Sequence, residues 1–351
     1  MLRYTTYQGT IEDLVEFVNR VWEDAYIDKT TFPCWTVEFF KWQFGDGSDA
    51  RLSHLLAAYD GTRLVGVLLG RPCLLRLPSG VIRGSQWSWL SIDSRYQGRG
   101  IARALDHERI KLLAATDSRL IISYRFVGST HSKAERPSGR VSDRKFNRKI
   151  GFWARILDPV RFAAWNWNRF EGLLARMASP LSKVPDTTRA GTRIRFCTEF
   201  DIDTCVAVAN DSFSGTSLAI EWDRVSMRHQ LLGNPVSQTL VLEENGNLTG
   251  FINFHILPFR ARTLESIGII DMIAGGASTT KGCVQLINRA LYTMKLQGAI
   301  VALKLRCGDI KSWPMWRTFF VPQPAGSFLV LQSVSVPVEV PSHSPIHVLW
   351  R

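Results

Sequence analysis

Hydrophobic positions near the start of the chain recur with a helical period. In "TIEDLVEFVNRVWEDA", Ile11, Leu14, Val15, Val18 and Val21 fall on one face, Thr10 stands at the N-cap, and Glu12 and Asp13 fill the first turn. An amphipathic helix is predicted over 10–25, with a shorter one over "TVEFFKWQF", 36–44. The period then changes. "LSHLLAAY", "RLVGVLLGRPCLL" and "VIRGSQWSWLSI" read as three strands, joined by turns at Asp60-Gly61 and around Pro78-Ser79-Gly80. This is an antiparallel meander, with Trp87 and Trp89 expected on one face of its last strand. "IARALDHERIKLLAAT" returns to helical spacing through Ile101, Leu105 and Leu112, and "RLIISYRF" reads as a buried strand. A polar loop and a helical segment closing at "RKIGFWARI" follow.

The second half repeats this order. It offers a strand "RIRF", a helix over 201–210, a helical "EWDRVSMRHQLLGNP", strands "QTLVLEE", "LTGFINFHIL" and "TLESIGIIDMIA", a helix "CVQLINRALYTMKLQ" and a strand "GAIVALKL". A tandem duplication follows from element order. The expected division is a first domain at 1–178, a linker at 179–190 rich in Pro, Ser and Thr, a second domain at 191–335 and a tail at 336–351. The fold class is α/β (α+β), each domain a mainly antiparallel mixed sheet flanked by helices.

Composition narrows the partners. No window carries the run of about 18 apolar residues that a spanning helix needs, and the N-terminus does not read as a signal peptide. A cytoplasmic protein is expected. Six scattered cysteines include no C-x-x-C pair, so no zinc site and no redox dithiol is expected. The net charge is +12, and between 95 and 195 there are 22 Lys and Arg against 8 Asp and Glu. The surplus therefore sits in the middle third and favours an anionic partner.

The chemistry concentrates in "SIDSRYQGRGIARALDHERIKLL", 91–113. A strand that ends in Arg95-Tyr96-Gln97-Gly98-Arg99-Gly100 and turns into a helix aims free backbone N–H groups at one point. Gly98 and Gly100 let an anion approach the main chain, and Arg95 and Arg99 can add charge-assisted hydrogen bonds. Such a site suits a pyrophosphate. The second half reads "IAGGASTTKG" at the matching place. That string also fails the P-loop pattern, because no glycine immediately precedes Lys281.

The stretch resembles the acyl-CoA signature of the GNAT acetyltransferase family, Arg/Gln-x-x-Gly-x-Gly/Ala at the end of the fourth strand, with Arg95, Gly98 and Gly100 in register. "FNRKIGF", 146–152, is similar to the family's closing "LYEKLGF". The resemblance covers 1 to about 160 and, more loosely, the second copy. It implies two tandem GNAT-like domains, with acetyl-CoA or another acyl-CoA bound by the first and no metal. Leu90, Ser91 and Ile92 would line the pantetheine arm on a strand splayed from its neighbour, and Arg95, Tyr96, Gln97, Gly98, Arg99, Gly100, Ile101 and Ala102 would hold the pyrophosphate. An amine would attack the thioester directly, with a base to take its proton and an acid to protonate the thiolate. The family's acid is a tyrosine four residues before the Gly of "LGF", a position that Asn147 fills here. Tyr124 is the first substitute and His131 the second, while Glu23, with Asp24 beside it, is the candidate base. Each also has a structural reading, as a core tyrosine, a loop histidine and surface carboxylates.

The acceptor implied is a small amine, and the charge surplus suits an anionic one such as a nucleotide-linked amino sugar. An acidic acyl carrier protein as donor would fit the same charge. Alternatives are a Fem-like transferase using aminoacyl-tRNA and a non-catalytic CoA-binding module. Other nucleic acid fits less well.

Overall fold

A computed structural model describes residues 1–45, 54–126, 145–168, 172, 183–185, 193–233, 235–275, 280–341 and 344–351. Its first half runs β1 (Leu2–Thr6), α1 (Ile11–Tyr26), β2 (Phe32–Pro33), α2 (Val37–Phe44), β3 (Leu55–Asp60), β4 (Arg63–Leu77), β5 (Gly80–Ile92), α3 (Ile101–Ala115), β6 (Leu120–Phe126), β7 (Lys145–Ile150), β8 (Phe152–Ile156) and α4 (Pro159–Trp165). The second half runs β9 (Arg193–Phe196), α5 (Ile202–Ser212), β10 (Leu218–Glu221), α6 (Arg224–Leu231), β11 (Ser237–Glu244), β12 (Asn247–Arg260), β13 (Leu264–Gly275), α7 (Thr280–Leu296), β14 (Ala299–Leu305), α8 (Ser312–Arg317), β15 (Val321–Pro322), β16 (Ser327–Ser333) and β17 (Ile346–His347).

Local chemistry explains the elements that were predicted. Thr10 and Asp13 form a capping box that satisfies two free N–H groups of α1, and Ile11, Leu14, Val15, Val18 and Val21 are buried as their spacing requires. They pack with Leu55, Ala57, Val67 and Leu69 on one face of the first sheet. Ile101, Leu105 and Leu113 of α3 cover the other face, against Leu56, Ala58, Val65 and Leu68. The second half repeats the plan. Its sheet is covered on one face by α7 and on the other by α5 and α6.

Among the described residues the strands form a nine-stranded and an eight-stranded sheet, and each takes strands from both halves. β16 lies between β6 and β7 in the first sheet, while β8 lies between β14 and β15 in the second. Two smaller crossings are also reciprocal: β10 pairs with β4, and β2 pairs with β12. The segment after residue 345 is interior, with His347, Val348, Leu349 and Arg351 all buried.

Three expectations need correction. The segment before Gly151 is the strand β7 rather than a helix, because its hydrogen-bond partner is β16, about 180 residues away and invisible to a local reading. "EWDRVSMRHQLLGNP" is helical only from Arg224 to Leu231, and Glu221 belongs to β10, pulled into the first sheet by β4. Trp87 and Trp89 lie on opposite faces. Between the pairs Val67–Ser91 and Leu69–Ser88, β5 carries Trp89 and Leu90 where β4 carries only Leu68. This bulge, with Trp89 at φ +54°, breaks the two-residue alternation.

Candidate active site

β5 and β6 run parallel and stay paired from Gly84–Leu120 to Trp87–Ser123. Beyond that pair β5 continues to Ile92 and β6 to Phe126 with no ladder between them among the described residues, while the other edge of β6 stays on β16 along its whole length. The sheet therefore opens into a wedge, and the main chain of Ser88 to Ile92 forms one of its edges. Leu90 and Ile92 lean on the α3 side, while Ser91 is buried on the α1 side, where its Oγ accepts a 2.9 Å hydrogen bond from the Trp22 indole.

The loop after β5 leads directly to the N-terminus of α3. Ser94–Tyr96 makes one 3₁₀ turn, and Gly98 and Gly100 follow at φ +77° and +78°. A Cβ on either glycine would meet nothing within 4 Å, so the surface over both is open. Gly100 is the N-cap residue and supplies no side-chain cap. The first-turn amides of α3, including those of Ile101 and Ala102, consequently have no intrahelical acceptor, and the positive end of the helix faces the loop. Gln97, Arg99 and Gly100 are exposed, Tyr96 and Ala102 half-buried, and Ile101 buried.

The arginines are arranged differently from a simple phosphate fork. Arg95 turns back onto Asp93, with Nε 3.1 Å from Oδ1 and Nη2 2.9 Å from Oδ2. Arg20 from α1 and Arg63 from β4 approach the same carboxylate at 3.4 Å each. Asp93 itself is fully buried. Three guanidinium groups on one carboxylate leave the base of the loop with a surplus of positive charge. Arg99 stacks over the Tyr96 ring at 4.8 Å, and the Tyr96 hydroxyl donates to Asp60 Oδ2 at 3.1 Å. A cavity of about 550 Å³ between α1, β1 and the β3–β4 turn shares Arg20 and Arg63 with this cluster.

The chain end closes the foot of the wedge. Tyr124, the first β6 residue past the last pair with β5, donates its hydroxyl to the Leu349 carbonyl at 2.6 Å. Gln86 Nε2 donates to the same oxygen at 2.8 Å, and Ser88 Oγ donates to the Arg351 carbonyl at 2.5 Å. Burial raises the Tyr124 pKa well above its ordinary value, with Cys307 adding to the shift. Glu23 is half-exposed at the end of α1, its carboxylate 3.7 Å from Arg260 of the second half. His131 lies outside the described residues. Asn147 is in β7, opposite Val330.

The matching wedge of the second sheet is occupied. β13 and β14 pair as far as Ile270–Lys304, and the next residue, Asp271, makes a two-pronged ion pair with Arg351, 2.7 and 2.8 Å. Gln230, Asn253 and His255 complete this buried network. Lys304 pairs with Asp309 at 2.8 Å, and His347 approaches the same carboxylate at 3.0 Å. The loop beyond Gly275 lies outside the described residues. Between the halves, Thr31, Pro33, Phe152, Phe259, Ile269, Leu303 and Trp350 line an apolar cleft of about 90 Å³. Among the described residues no three His, Cys, Asp or Glu side chains converge as a metal site, and no helix is long and apolar enough to cross a membrane.

Sequence reading brought together the loop and the free strand edge. It missed Asp93, the bulge at Trp89 and the residues 349–351. Only Asp93 left a signal, as an acid at a strand end beside an arginine.

No protein-family model matches the chain, and no curated protein matches its sequence. The fold does find matches. A structure of Saccharomyces cerevisiae N-myristoyltransferase with bound myristoyl-CoA aligns with a TM-score of 0.76 at 16% identity, covering 100% of this chain and 85% of that one. A second structure of the same enzyme with myristoyl-CoA gives 0.73, again at 16% identity, over 94% and 82%. A GCN5-related N-acetyltransferase from Anabaena variabilis gives 0.53 at 12% identity, over 94% and 72%. The architecture is therefore a tandem GNAT fold. In its two-lobed form it is similar to N-myristoyltransferase.

Proposed function

We propose that the protein is an N-acyltransferase that takes an acyl group from a coenzyme A thioester and passes it to an amine. One observation carries this reading: β5 parts from β6 directly in front of a glycine-lined, uncapped helix N-terminus. The free edge of Ser88 to Ile92 would hydrogen-bond the amides of a pantetheine arm. The amides of Gly98 to Ala102 would receive the pyrophosphate, with Arg99 and the surplus charge around Asp93 adding attraction. The two fold neighbours solved with myristoyl-CoA support an acyl-CoA donor.

In this reading the thioester carbonyl lies at the bulge, where Trp89 turns the backbone out of the ladder. The amine nitrogen bonds to the carbonyl carbon, the carbon–sulfur bond breaks, and the amine proton passes to solvent or to a side chain while the thiolate is protonated. Tyr124 stands beside the break in pairing, but its hydroxyl is engaged in donating to the Leu349 carbonyl. Its part is to hold that segment across the foot of the wedge. Glu23, at the seam between the halves, remains the candidate base. The acceptor, the amine of a peptide or of a small molecule, would enter over the apolar cleft at the seam. The surplus of positive charge between 95 and 195 that suggested an anionic amino sugar or a carrier protein falls in part outside the described residues. No observation favours the tRNA-dependent or the non-catalytic alternative.

Calorimetry with acetyl-CoA tests the reading. Binding is expected for the native chain and at least a tenfold loss for Gly100→Asp, which places a carboxylate at the proposed pyrophosphate site. Absence of binding by the native chain, or equal binding by both, would refute it. A thiol-release screen across peptides with free N-termini, amino sugars and polyamines then addresses the acceptor.

A further inference from the structure

The wedge that would receive the donor ends blindly. An acyl chain passing the bulge cannot continue between β5 and β6, because the strands pair again at Trp87–Ser123. It must leave the sheet on one face or the other, or run on toward the chain end. On the α1 face stands Trp89, 3% exposed, with the rings of Phe44 at 5.2 Å, Trp35 at 5.4 Å and Phe40 at 5.7 Å packed around it. Trp35 in turn stacks on Trp350 at 6.3 Å. On the α3 face stands Trp87, 1% exposed, between the His54 ring and the Arg109 guanidinium, each 5.8 Å away. Toward the chain end, Gln86, Ser88 and Tyr124 tie Leu349 and Arg351 across the opening.

Among the described residues all three routes are thus filled with buried side chains or main chain, where an added methylene displaces something. We infer that this site accepts donors with a short acyl chain, a few carbons long, and that Trp89 sets the limit. The inference rests on the acyl-CoA reading of the wedge and departs from what the bound ligand of the two-lobed neighbours would suggest. The bulge is what puts Trp89 there. With regular alternation its ring would lie beside Trp87 on the α3 face, and the α1 face below the thioester would be lined by smaller groups.

The test is a calorimetric series with free CoA and acetyl-, butyryl-, hexanoyl- and decanoyl-CoA. A site with room would gain about fourfold in affinity for each buried methylene. The expected series is level from acetyl to butyryl and at least tenfold weaker by decanoyl. A rise that continues to decanoyl would overturn the inference. Trp89→Leu and, separately, Phe44→Leu are expected to raise the ratio of decanoyl to acetyl affinity at least tenfold. An unchanged ratio in a variant that circular dichroism shows to be folded would take the limit away from Trp89. If neither free CoA nor acetyl-CoA binds the native chain, the acyl-CoA reading fails and this inference goes with it.

Discussion

Asp93 shows how much one side chain can organise. It is fully buried, yet three guanidinium groups from α1, β4 and the loop close on it, and only its charge reconciles them. Asp93→Asn is expected to cost about 3 kcal/mol in urea denaturation, because it leaves three cations around a neutral amide. A loss below about 1 kcal/mol would mean that other contacts hold the loop. Tyr124→Phe removes a donor from the Leu349 carbonyl and should cost about 1 kcal/mol. It should lower kcat for thiol release less than tenfold, and a larger fall with unchanged KM would return the hydroxyl to a role in proton transfer. At this scale the sequence made Arg95, Gly98 and Gly100 legible, since spacing alone marks a turn into a helix. It could not show that the Arg95 side chain folds back onto Asp93, because that carboxylate is recognised as a partner only once it is buried.

Among elements, the loop and α3 depend on backbone geometry more than on side chains. Gly100 sits in the left-handed region, and Gly100→Ala should destabilise the chain by about 1 to 2 kcal/mol through backbone strain alone, as open space surrounds the new methyl group. The thermal midpoint measures this, and no change would mean that the loop readjusts. α1, α3 and the β3–β5 meander were readable because each signal is local: a cap, a period, a turn dipeptide. β1, β7, β10 and β16 were missed or misread for the opposite reason. Each is short, and each is a strand only because a distant strand offers its edge. The bulge at Trp89 also left no trace in the sequence, since a two-residue period says nothing of a slipped register.

Across the whole molecule, the interior network between the halves should make stability depend on acid. Burial lowers the pKa values of His255 and His347, against the pull of Asp271 and Asp309, so folding favours the neutral rings. Unfolding lets them take protons below about pH 6.5, and their contribution is full above that value and lost as pH falls. Burial would raise the Asp271 pKa, but the Arg351 guanidinium and His255 bring it below the usual carboxylate range. Its contribution therefore fades at lower pH, below about 4. Urea midpoints should fall in those two stages, and a flat profile from pH 7.5 to 5 would contradict neutral buried histidines. The duplication was visible in element order, but the exchange of β8 and β16 was not, because both sheets look complete to a reading that stops at each half. Unfolding should accordingly be a single transition, coincident by tryptophan fluorescence and far-ultraviolet circular dichroism, and two separated transitions would argue against the exchange.

That exchange also reaches into biosynthesis. While the ribosome is still making residues 200 to 300, the first sheet lacks the strand that belongs between β6 and β7, and the foot of the wedge lacks residues 349–351. The emerging first half must wait with an open edge, exposed to pairing with the wrong strand and to chaperones that cover such edges. The wedge is complete only after residues 327–351 have left the exit tunnel, so a chain that stops before them would lose its first-half site although every residue of the loop had been made.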